Sequence, residues 1–295
     1  MAKQPRIIVG QVAAITGGAR GIGKATARAL VREGMRVAIG DLDLAAAQEA
    51  AEQIGGGTIA LELNVTDPDS FGAFVDGVEE QLGPIDVLIN NAGIMQLGPF
   101  LAEDPATTRR MIDINIYGVH YGSTLALQRM VPRGRGHLIN IASAAGKAGY
   151  PHGATYCGTK HYVVGMSEAL RGELRGTGVE ISVVMPVVVH TELGSGLPTT
   201  RGVKQVEPED VAAEIVSALK QPRFDVFVPR SVGPLNQVMA VVPRSGREAL
   251  TRALKADQVL SGADPNIRAA YELRAQRSEP GLEPGAAPKE LEESK

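Results

Sequence analysis

The stretch that decides the fold lies near the N-terminus and reads Val12-Ala-Ala-Ile-Thr16-Gly17-Gly18-Ala19-Arg20-Gly21-Ile22-Gly23. Its first five residues are small or β-branched and predict a buried strand, and a helical pattern follows from Ile22. Glycines between a strand and a helix let the chain turn sharply, so that backbone N–H groups and the positive end of the helix dipole can approach a phosphate. The spacing is GxxxGxG, and because a tight turn without a ligand has the same composition, other residues must support the interpretation.

Outward from this turn, short apolar runs alternate with longer helical segments as far as residue 228. Strands are predicted at Val12–Thr16, Arg36–Gly40, Thr58–Leu63, Ile85–Ile89, His137–Ile141 and Ile181–Met185. Helices are predicted at Ile22–Glu33, Ala45–Gln53, Pro68–Leu82, Thr107–Met130, Ala154–Arg175 and Glu207–Lys220. Strands separated by helices of this length are typical of βαβ units, so the sequence predicts an α/β fold with a doubly wound parallel sheet, the Rossmann fold.

The chain is predicted to form a single domain with a C-terminal extension. Residues 1–228 form the expected catalytic domain, residues 229–275 an extension on or near the substrate site, and residues 276–295 a disordered tail poor in large apolar side chains. The extension carries a short apolar helical stripe over residues 235–242. This stripe could cap the pocket, join subunits or touch a membrane, and packing on its own domain is the interpretation we favour.

Composition excludes several classes of protein. Apolar residues make up 44% of the 295 and charged residues 21%, as in globular proteins. The net charge of −3 offers no basic excess for nucleic acid, and the single cysteine, Cys157, excludes a disulfide framework or a cysteine-based zinc cluster. No metal-ligand spacing is found, and the longest uncharged stretch, Val87–Ala102, is too short to span a bilayer. We therefore expect a cytoplasmic protein without a transmembrane segment.

Two charged residues bear on the choice of a dinucleotide. Asp41 follows the second predicted strand, 18 residues after Gly23, which is close to the spacing of about 20 residues for the acid that binds a ribose 2′-OH. A carboxylate there favours NAD and repels the 2′-phosphate of NADP. Arg20, inside the turn, could instead bind that phosphate, so NADP stays open as the alternative cofactor.

A second constellation indicates proton-transfer chemistry. Tyr156 and Lys160 are four residues apart at the start of a predicted helix, so the phenol and the ammonium can lie on one face. A free tyrosine titrates near 10, and a neighbouring ammonium would lower that pKa towards the neutral range that a base needs. Ser143 follows the fifth predicted strand, where the carboxyl ends of parallel strands form a ligand crevice.

Together these residues give the chain a resemblance to the short-chain dehydrogenase/reductase family over roughly residues 8–228. The turn Thr16–Gly23, the element Asn90-Asn91-Ala92-Gly93 and the ordered set Asn115, Ser143, Tyr156 and Lys160 match the family's motifs. The resemblance implies that Tyr156 exchanges the alcohol proton, that Ser143 orients the substrate oxygen, that Lys160 holds the nicotinamide ribose, and that Asn115 helps bind a water linked to Lys160.

The resemblance also implies a set of cofactor contacts and a homodimeric or homotetrameric assembly. The expected cofactor-binding residues are Gly17, Arg20, Gly21, Ile22, Gly23, Asp41, Asn64, Val65, Asn91, Ala92, Gly93, Tyr156, Lys160, Pro186, Val189 and Thr191. Two positions depart from the family pattern: Asn64 replaces an aspartate at the adenine pocket, where its carbonyl could still accept a bond, and Val187 replaces a glycine, which predicts a reshaped loop.

The expected function is therefore hydride transfer between NAD(H) and a secondary alcohol or ketone. An apolar substrate is indicated by Met95, Ala145 and Tyr150, with the loop Leu193–Val206 as a flap. Alternatives are an NADP-dependent carbonyl reductase, an epimerase or dehydratase on the same scaffold, and a non-catalytic NAD-sensing regulator. The tyrosine and lysine pair argues against the regulator, because a sensor does not need it.

Overall fold

The computed structural model describes residues 4–198 and 204–276 and contains one seven-stranded parallel sheet. The strands are β1 (Val12–Thr16), β2 (Arg36–Asp41), β3 (Ile59–Glu62), β4 (Ile85–Asn90), β5 (Gly136–Ile141), β6 (Val179–Pro186) and β7 (Asp225–Val228). Their order across the sheet is β3-β2-β1-β4-β5-β6-β7. This is the doubly wound α/β fold that the sequence predicts, with β7 as an addition at one edge.

Helices cover both faces of the sheet. They are α1 (Gly21–Arg32), α2 (Leu44–Ile54), α3 (Pro68–Leu82), α4 (Pro105–Ile112), α5 (Val119–Arg133), α6 (Ala154–Glu173), α7 (Pro208–Lys220), α8 (Val232–Val241), α9 (Arg244–Ala253) and α10 (Pro265–Gln276). A π-helical turn, Asp113–Gly118, joins α4 to α5 without a break, so the single helix predicted there is wider at its middle. The helices α9 and α10 are not predicted from the sequence.

The hydrophobic core consists of two layers, one on each side of the sheet. Successive strand residues point to opposite faces. On β1, Ala13 and Ile15 therefore pack in the layer that includes α1 and α7, while Val12 and Ala14 pack in the layer that includes Phe71 and Phe74 of α3. Because both faces are covered, the strands are mostly apolar and do not alternate between apolar and polar residues, as is usual for parallel strands in such folds.

The strand order places a crevice at the carboxyl ends of β1 and β4. From β1 the chain winds first to β2 and β3 and then crosses back to β4, so the connections leave in opposite directions at this point. Ligands of open α/β sheets bind at such a switch point. Among the described residues, no helix combines the length and the apolarity that crossing a bilayer requires.

Candidate active site

A large cavity opens at the carboxyl edge of the sheet. Its volume is about 1470 Å³, above the range of roughly 300–1,000 Å³ that is usual for the pocket of one small ligand. Its walls include the turn after β1, the ends of β2 and β4, the start of α6, and parts of α8, α9 and α10. The cavity therefore has room for a dinucleotide and a second molecule side by side.

The glycine turn forms one end of this cavity. Gly17 and Gly21 have φ values of +65° and +51°, which side chains rarely adopt, and both line the cavity with Arg20 and Ile22. Helix α1 begins at Gly21 without a side-chain cap, so its first N–H groups remain available to an anion. Gly23 does not line the cavity; a Cβ there would lie 2.2 Å from the Gly17 carbonyl oxygen, so this glycine allows the turn to pack closely.

Asp41 lies beside the turn at the end of β2. Its Oδ2 accepts a hydrogen bond from the Ala19 N–H at 3.1 Å and its Oδ1 accepts one from the Asp43 N–H at 3.2 Å. Burial raises the pKa of Asp41, and these two bonds act in the opposite direction. The Arg20 guanidinium forms an ion pair with Asp43 at 2.7 Å, so its charge is already matched by a carboxylate.

On the adenine side of the crevice, the hydrogen bonds of the Asn64 side chain differ from the expectation. Its Oδ1 accepts bonds from the Thr66 N–H at 3.1 Å and the Thr66 hydroxyl at 2.8 Å. A carbonyl oxygen has two lone pairs, so the predicted bond to an adenine amino group would have to replace one of these. Asn64 and Val65 both line the cavity, and the Asn64 Nδ2 is the polar group left for a ligand.

The element after β4 lines the middle of the crevice, and its first asparagine supports the turn. Asn91 Nδ2 donates to the carbonyl oxygens of Thr16 and Gly17, both at 2.9 Å. Ala92 and Gly93 follow it along the cavity wall. A Cβ on Gly93 would lie 3.2 Å from Asn115 Oδ1, so a larger residue here would press on the neighbouring helix.

The loop after β6 closes the opposite wall with the three expected residues, Pro186, Val189 and Thr191. The prediction that Val187 reshapes this loop stays a prediction. Among the described residues only His152 and Lys255 have positive φ without being glycine, and the Val187 N–H donates to the Val228 carbonyl at 2.9 Å, extending the β6–β7 pairing. Valine therefore fits because the backbone here does not adopt a positive φ.

Tyr156 and Ser143 both line the cavity on its substrate side. Tyr156 is in the first turn of α6, and the Ser143 side chain acts on the pKa of its hydroxyl. Ser143 Oγ accepts from the Ala145 N–H at 3.1 Å, which fixes its position after β5. Burial raises the pKa of Tyr156 to about 12, although the neighbouring Ser143 side chain and the charge of Arg268 act to lower it.

Lys160 lies one turn further along α6 and is also buried. Its Nζ is 5.8 Å from the centre of the Tyr156 ring and donates to the Ile141 carbonyl at 3.0 Å. Burial lowers the pKa of Lys160 to about 8. Burial raises the pKa of Tyr156, and Lys160 is not among the groups that lower it, so the predicted effect of the ammonium on the tyrosine stays a prediction.

Asn115 sits in the π-helical turn, fully buried and outside the cavity wall. Its Nδ2 donates to the Ile94 carbonyl at 2.9 Å and to the Thr159 hydroxyl at 3.1 Å, and its Oδ1 accepts from the Ile94 N–H at 2.9 Å. The side chain thus links three segments of the site. Its predicted role in holding a water near Lys160 stays a prediction.

The substrate side of the cavity is apolar. Met95, Ala145 and Tyr156 are buried in one hydrophobic cluster, with Tyr150 and Leu193 packed against it. The cluster also contains Val259 and Leu260 from the C-terminal extension. Residues 199–203 of the predicted flap lie outside the described residues, as do residues 277–295 of the predicted tail.

Two residues of α10 complete this side and were missed by the sequence analysis. Arg268 is buried and donates to the Met95 carbonyl at 2.8 Å and to the Leu193 and Ser195 carbonyls at 2.9 and 3.0 Å. The Tyr271 hydroxyl accepts from the Met95 N–H at 2.7 Å and lines the cavity. No local pattern marks Arg268, because its partners are loops far away in the sequence.

The cavity fits a dinucleotide beside a small apolar substrate. An open helix N-terminus and a strand-end carboxylate lie at one end, and a buried tyrosine, serine and lysine at the other. Among the described residues, no group of three or more His, Cys, Asp or Glu could hold a metal ion. This combination defines a dinucleotide-dependent oxidoreductase.

Comparison with known proteins gives the family. The model of the short chain dehydrogenase family matches residues 11–202, and the chain belongs to this family. It is 38% identical to a sorbitol dehydrogenase of Cereibacter sphaeroides over 189 residues, covering 64% of this chain and 74% of that protein. It is 34% identical to a 3-alpha-(or 20-beta)-hydroxysteroid dehydrogenase of Mycobacterium tuberculosis over 216 residues, covering 71% and 82%.

Among solved structures, a short chain dehydrogenase/reductase of Burkholderia phymatum in complex with NAD has a similar fold. The TM-score is 0.73 with 23% identity, over 80% of this chain and 94% of that one. The chain is thus an oxidoreductase that acts on the CH–OH group of an alcohol or the corresponding ketone, and a nicotinamide cofactor is supported.

Proposed function

We propose that the protein is an NAD-dependent dehydrogenase or ketone reductase for an apolar secondary alcohol. The observation that carries the proposal is that Tyr156, Ser143 and Lys160 share one cavity with the glycine turn and Asp41. The two ends of the cavity correspond to the two reactants that such a reaction must bring together. The relatives named as sorbitol and hydroxysteroid dehydrogenases are consistent with this chemistry.

The preference for NAD over NADP rests on charge at the end of β2. A ribose 2′-OH can donate to the Asp41 carboxylate, whereas a 2′-phosphate placed there would meet its negative charge. Arg20 is the cation that could compensate, but it is already paired with Asp43 at 2.7 Å. Binding of NADP would have to break this pair and would leave two carboxylates close to the phosphate.

The chain's own residues would position the cofactor at the glycine turn, at Asp41, along residues 91–93 and at the loop after β6. The nicotinamide ring, when bound, supplies or accepts the hydride. Tyr156 would hold the transferable proton on its hydroxyl oxygen, and Ser143 would bind the substrate oxygen beside it. Lys160 would place its positive charge under the cofactor ribose and, with the positive charge of an oxidised cofactor, oppose the effect of burial on Tyr156.

The apolar cluster around Tyr156 favours a substrate with a hydrophobic body. Water is excluded by Met95, Leu193, Val259 and Leu260, so the polar contacts available to the substrate are concentrated at Ser143 and Tyr156. In such a pocket a few polar groups set the orientation while apolar contacts supply most of the affinity.

A turnover assay tests the proposal. The purified protein is screened with NAD and a panel of secondary alcohols, including steroids and long-chain alcohols, by following NADH absorbance. Tyr156→Phe should abolish turnover and retain NADH binding, while Tyr162→Phe, on the exposed side of the same helix, should leave turnover unchanged. Turnover that survives Tyr156→Phe would refute the assignment.

Titration with NAD and with NADP tests the proposed preference for NAD. NADP binding as tight as NAD binding would contradict the argument from Asp41. NAD binding without turnover of any alcohol would favour the regulator over the enzyme. The cytoplasmic location and the homodimeric or homotetrameric assembly stay predictions.

A further inference from the structure

Helix α8 is apolar and lacks the buried stripe that a surface helix normally has. None of its ten residues is buried. Leu235, Val238 and Val241 are exposed by 38%, 55% and 83%. An amphipathic helix normally turns its apolar side chains towards the core, and contiguous exposed apolar side chains mark a contact surface. The interpretation that this stripe packs on its own domain therefore accounts for only part of it.

The helix has two apolar faces with different surroundings. Leu235 and Met239, four residues apart, line the cavity that contains Tyr156. Val238 and Val241, three residues apart, do not line it and point to the outside. One face thus closes the mouth of the cavity, and the other is an apolar surface with no partner among the described residues.

Helix α9 begins three residues after Val241 and adds positive charge at the mouth of the cavity. Arg247 and Arg252 are exposed at the mouth of the cavity, and neither forms an ion pair with any residue in the ranges 4–198 and 204–276. Arg244 is paired with Glu248 at 3.0 Å in an exposed position. Lys255 follows the helix, so the segment after α8 is basic although the whole chain has a net charge of −3.

We propose that the consecutive helices α8 and α9 dock on the anionic surface of a lipid bilayer, with Val238 and Val241 at the acyl boundary and Arg247 and Arg252 among the lipid phosphates. Apolar side chains next to unpaired arginines are the signature of a segment that lies in the membrane interface. The mouth of the cavity then faces the lipid, and an apolar substrate can enter from the bilayer. This last step rests on the proposed function; the docking itself does not.

Charge favours a lipid surface over a second copy of the chain. In a symmetric dimer the same patch occurs on both subunits. A dimer formed through these two helices would bring two sets of the same arginines together, and like charges at an interface are costly. An anionic membrane offers the opposite charge, and its attraction for basic residues adds to the burial of the valines.

Vesicle co-sedimentation of the full-length protein tests the proposal. We expect binding to phosphatidylcholine vesicles that contain phosphatidylglycerol, weaker binding to phosphatidylcholine alone, and a loss of binding as salt is raised. The double variant Arg247→Gln/Arg252→Gln should weaken binding by about fivefold per charge. The matched control Arg32→Gln/Arg175→Gln, which removes two exposed arginines elsewhere, should bind like the wild type.

The variant Val238→Asp/Val241→Asp separates docking from catalysis. It should lose vesicle binding while NADH binding and turnover of a water-soluble alcohol stay at wild-type levels, because neither valine lines the cavity. If the wild-type protein does not bind anionic vesicles at low salt, the proposal is overturned. So would a wild-type oligomer that the valine variant splits in analytical ultracentrifugation without any vesicle binding, since a second copy would then cover the surface.

Discussion

Replacing Arg268 by methionine should release the C-terminal helix from the substrate side of the cavity. The guanidinium is 2% exposed and donates to three backbone carbonyls, those of Met95, Leu193 and Ser195, at 2.8 to 3.0 Å. These carbonyls belong to the loops after β4 and β6. Its Nε also pairs with Glu272 at 3.0 Å within α10. Methionine keeps much of the length of the side chain but donates none of these bonds.

The size of the effect follows from these contacts. A hydrogen bond from a charged donor contributes about 1.5–3 kcal/mol, so three give at most roughly 5–9 kcal/mol. Carbonyls beside a cavity can take water instead, and removing one partner of a buried ion pair typically costs about 3–5 kcal/mol. We expect a loss of about 3 kcal/mol in unfolding free energy. At about 2–4 °C for each kcal/mol, the melting temperature should fall by about 10 °C.

Three measurements check this reasoning. Hydrogen exchange should accelerate in α10 and in the two loops that it fastens, and KM should rise more than kcat falls because the substrate wall loosens. The Arg268 charge also lowers the pKa of Tyr156, so this pKa should rise in Arg268→Met. In ketone reduction, which needs the protonated phenol, the alkaline limb of the pH profile should therefore move to higher pH. Arg268→Lys keeps the positive charge but loses the planar guanidinium with its several N–H donors. It should therefore restore the pH profile more fully than it restores the hydrogen-exchange rates.

The matched control is Arg274→Met on the same helix. Arg274 pairs with Glu192 in an exposed position, and an exposed pair contributes about 0–1 kcal/mol. If Arg268→Met melts like this control, and the exchange of the loops is unchanged, then the buried arginine does not hold the substrate wall and the reasoning is refuted.

Three further predictions concern the cofactor end and the buried lysine. Asp41→Asn should improve NADP affinity relative to NAD by about tenfold, measured by titration, because it removes the charge opposite the 2′-phosphate. Lys160→Met should stabilise the cofactor-free protein at pH 7 by up to about 3 kcal/mol. This gain should shrink between pH 8 and 10.5, where unfolded Lys160 keeps a proton that the folded protein releases, and urea titrations at each pH measure it. Gly23→Ala should weaken NADH binding, because its Cβ would lie 2.2 Å from the Gly17 oxygen, while Gly72→Ala, with open space in α3, should not.

The sequence predicts the central part of the fold well because its signals are local. Alternation of apolar strands with helices specifies the parallel sheet, and Pro68–Leu82 is predicted with both ends correct because Asp67 and Gly83 flank it. The strand β7, Asp225–Val228, is missed although β3, at the other edge of the sheet and equally short, is predicted.

The sequence predicts which residues form the site more readily than it predicts their pKa values. The spacing of Tyr156 and Lys160 puts them on one helix face, and the structure places both in the cavity. Their pKa values depend on burial by loops distant in sequence, which spacing does not report. Arg268 shows the same limit, since its bonds reach residues 73 to 173 positions away.

The segment after β4 shows how the two ends of the cavity are mechanically connected. At its start, Asn91 fastens the glycine turn through the Thr16 and Gly17 carbonyls. At its end, the N–H and C=O of Met95 bond Tyr271 and Arg268 of α10. Five consecutive residues thus join the expected cofactor side to the expected substrate side.

Between these ends, the backbone of this segment is held by Asn115. Ile94 uses both its N–H and its C=O to bond the Asn115 amide, and a Cβ on Gly93 would be in tight contact with that amide, 3.2 Å from its oxygen. A shift of the glycine turn must therefore move either Asn115 or the contacts of Met95. Both sets of contacts are short, at 2.9–3.1 Å for Asn115 and 2.7–2.8 Å for Met95, and both Asn115 and Arg268 are buried. Occupation of the turn should consequently be transmitted to the π-helical turn and to α10 together.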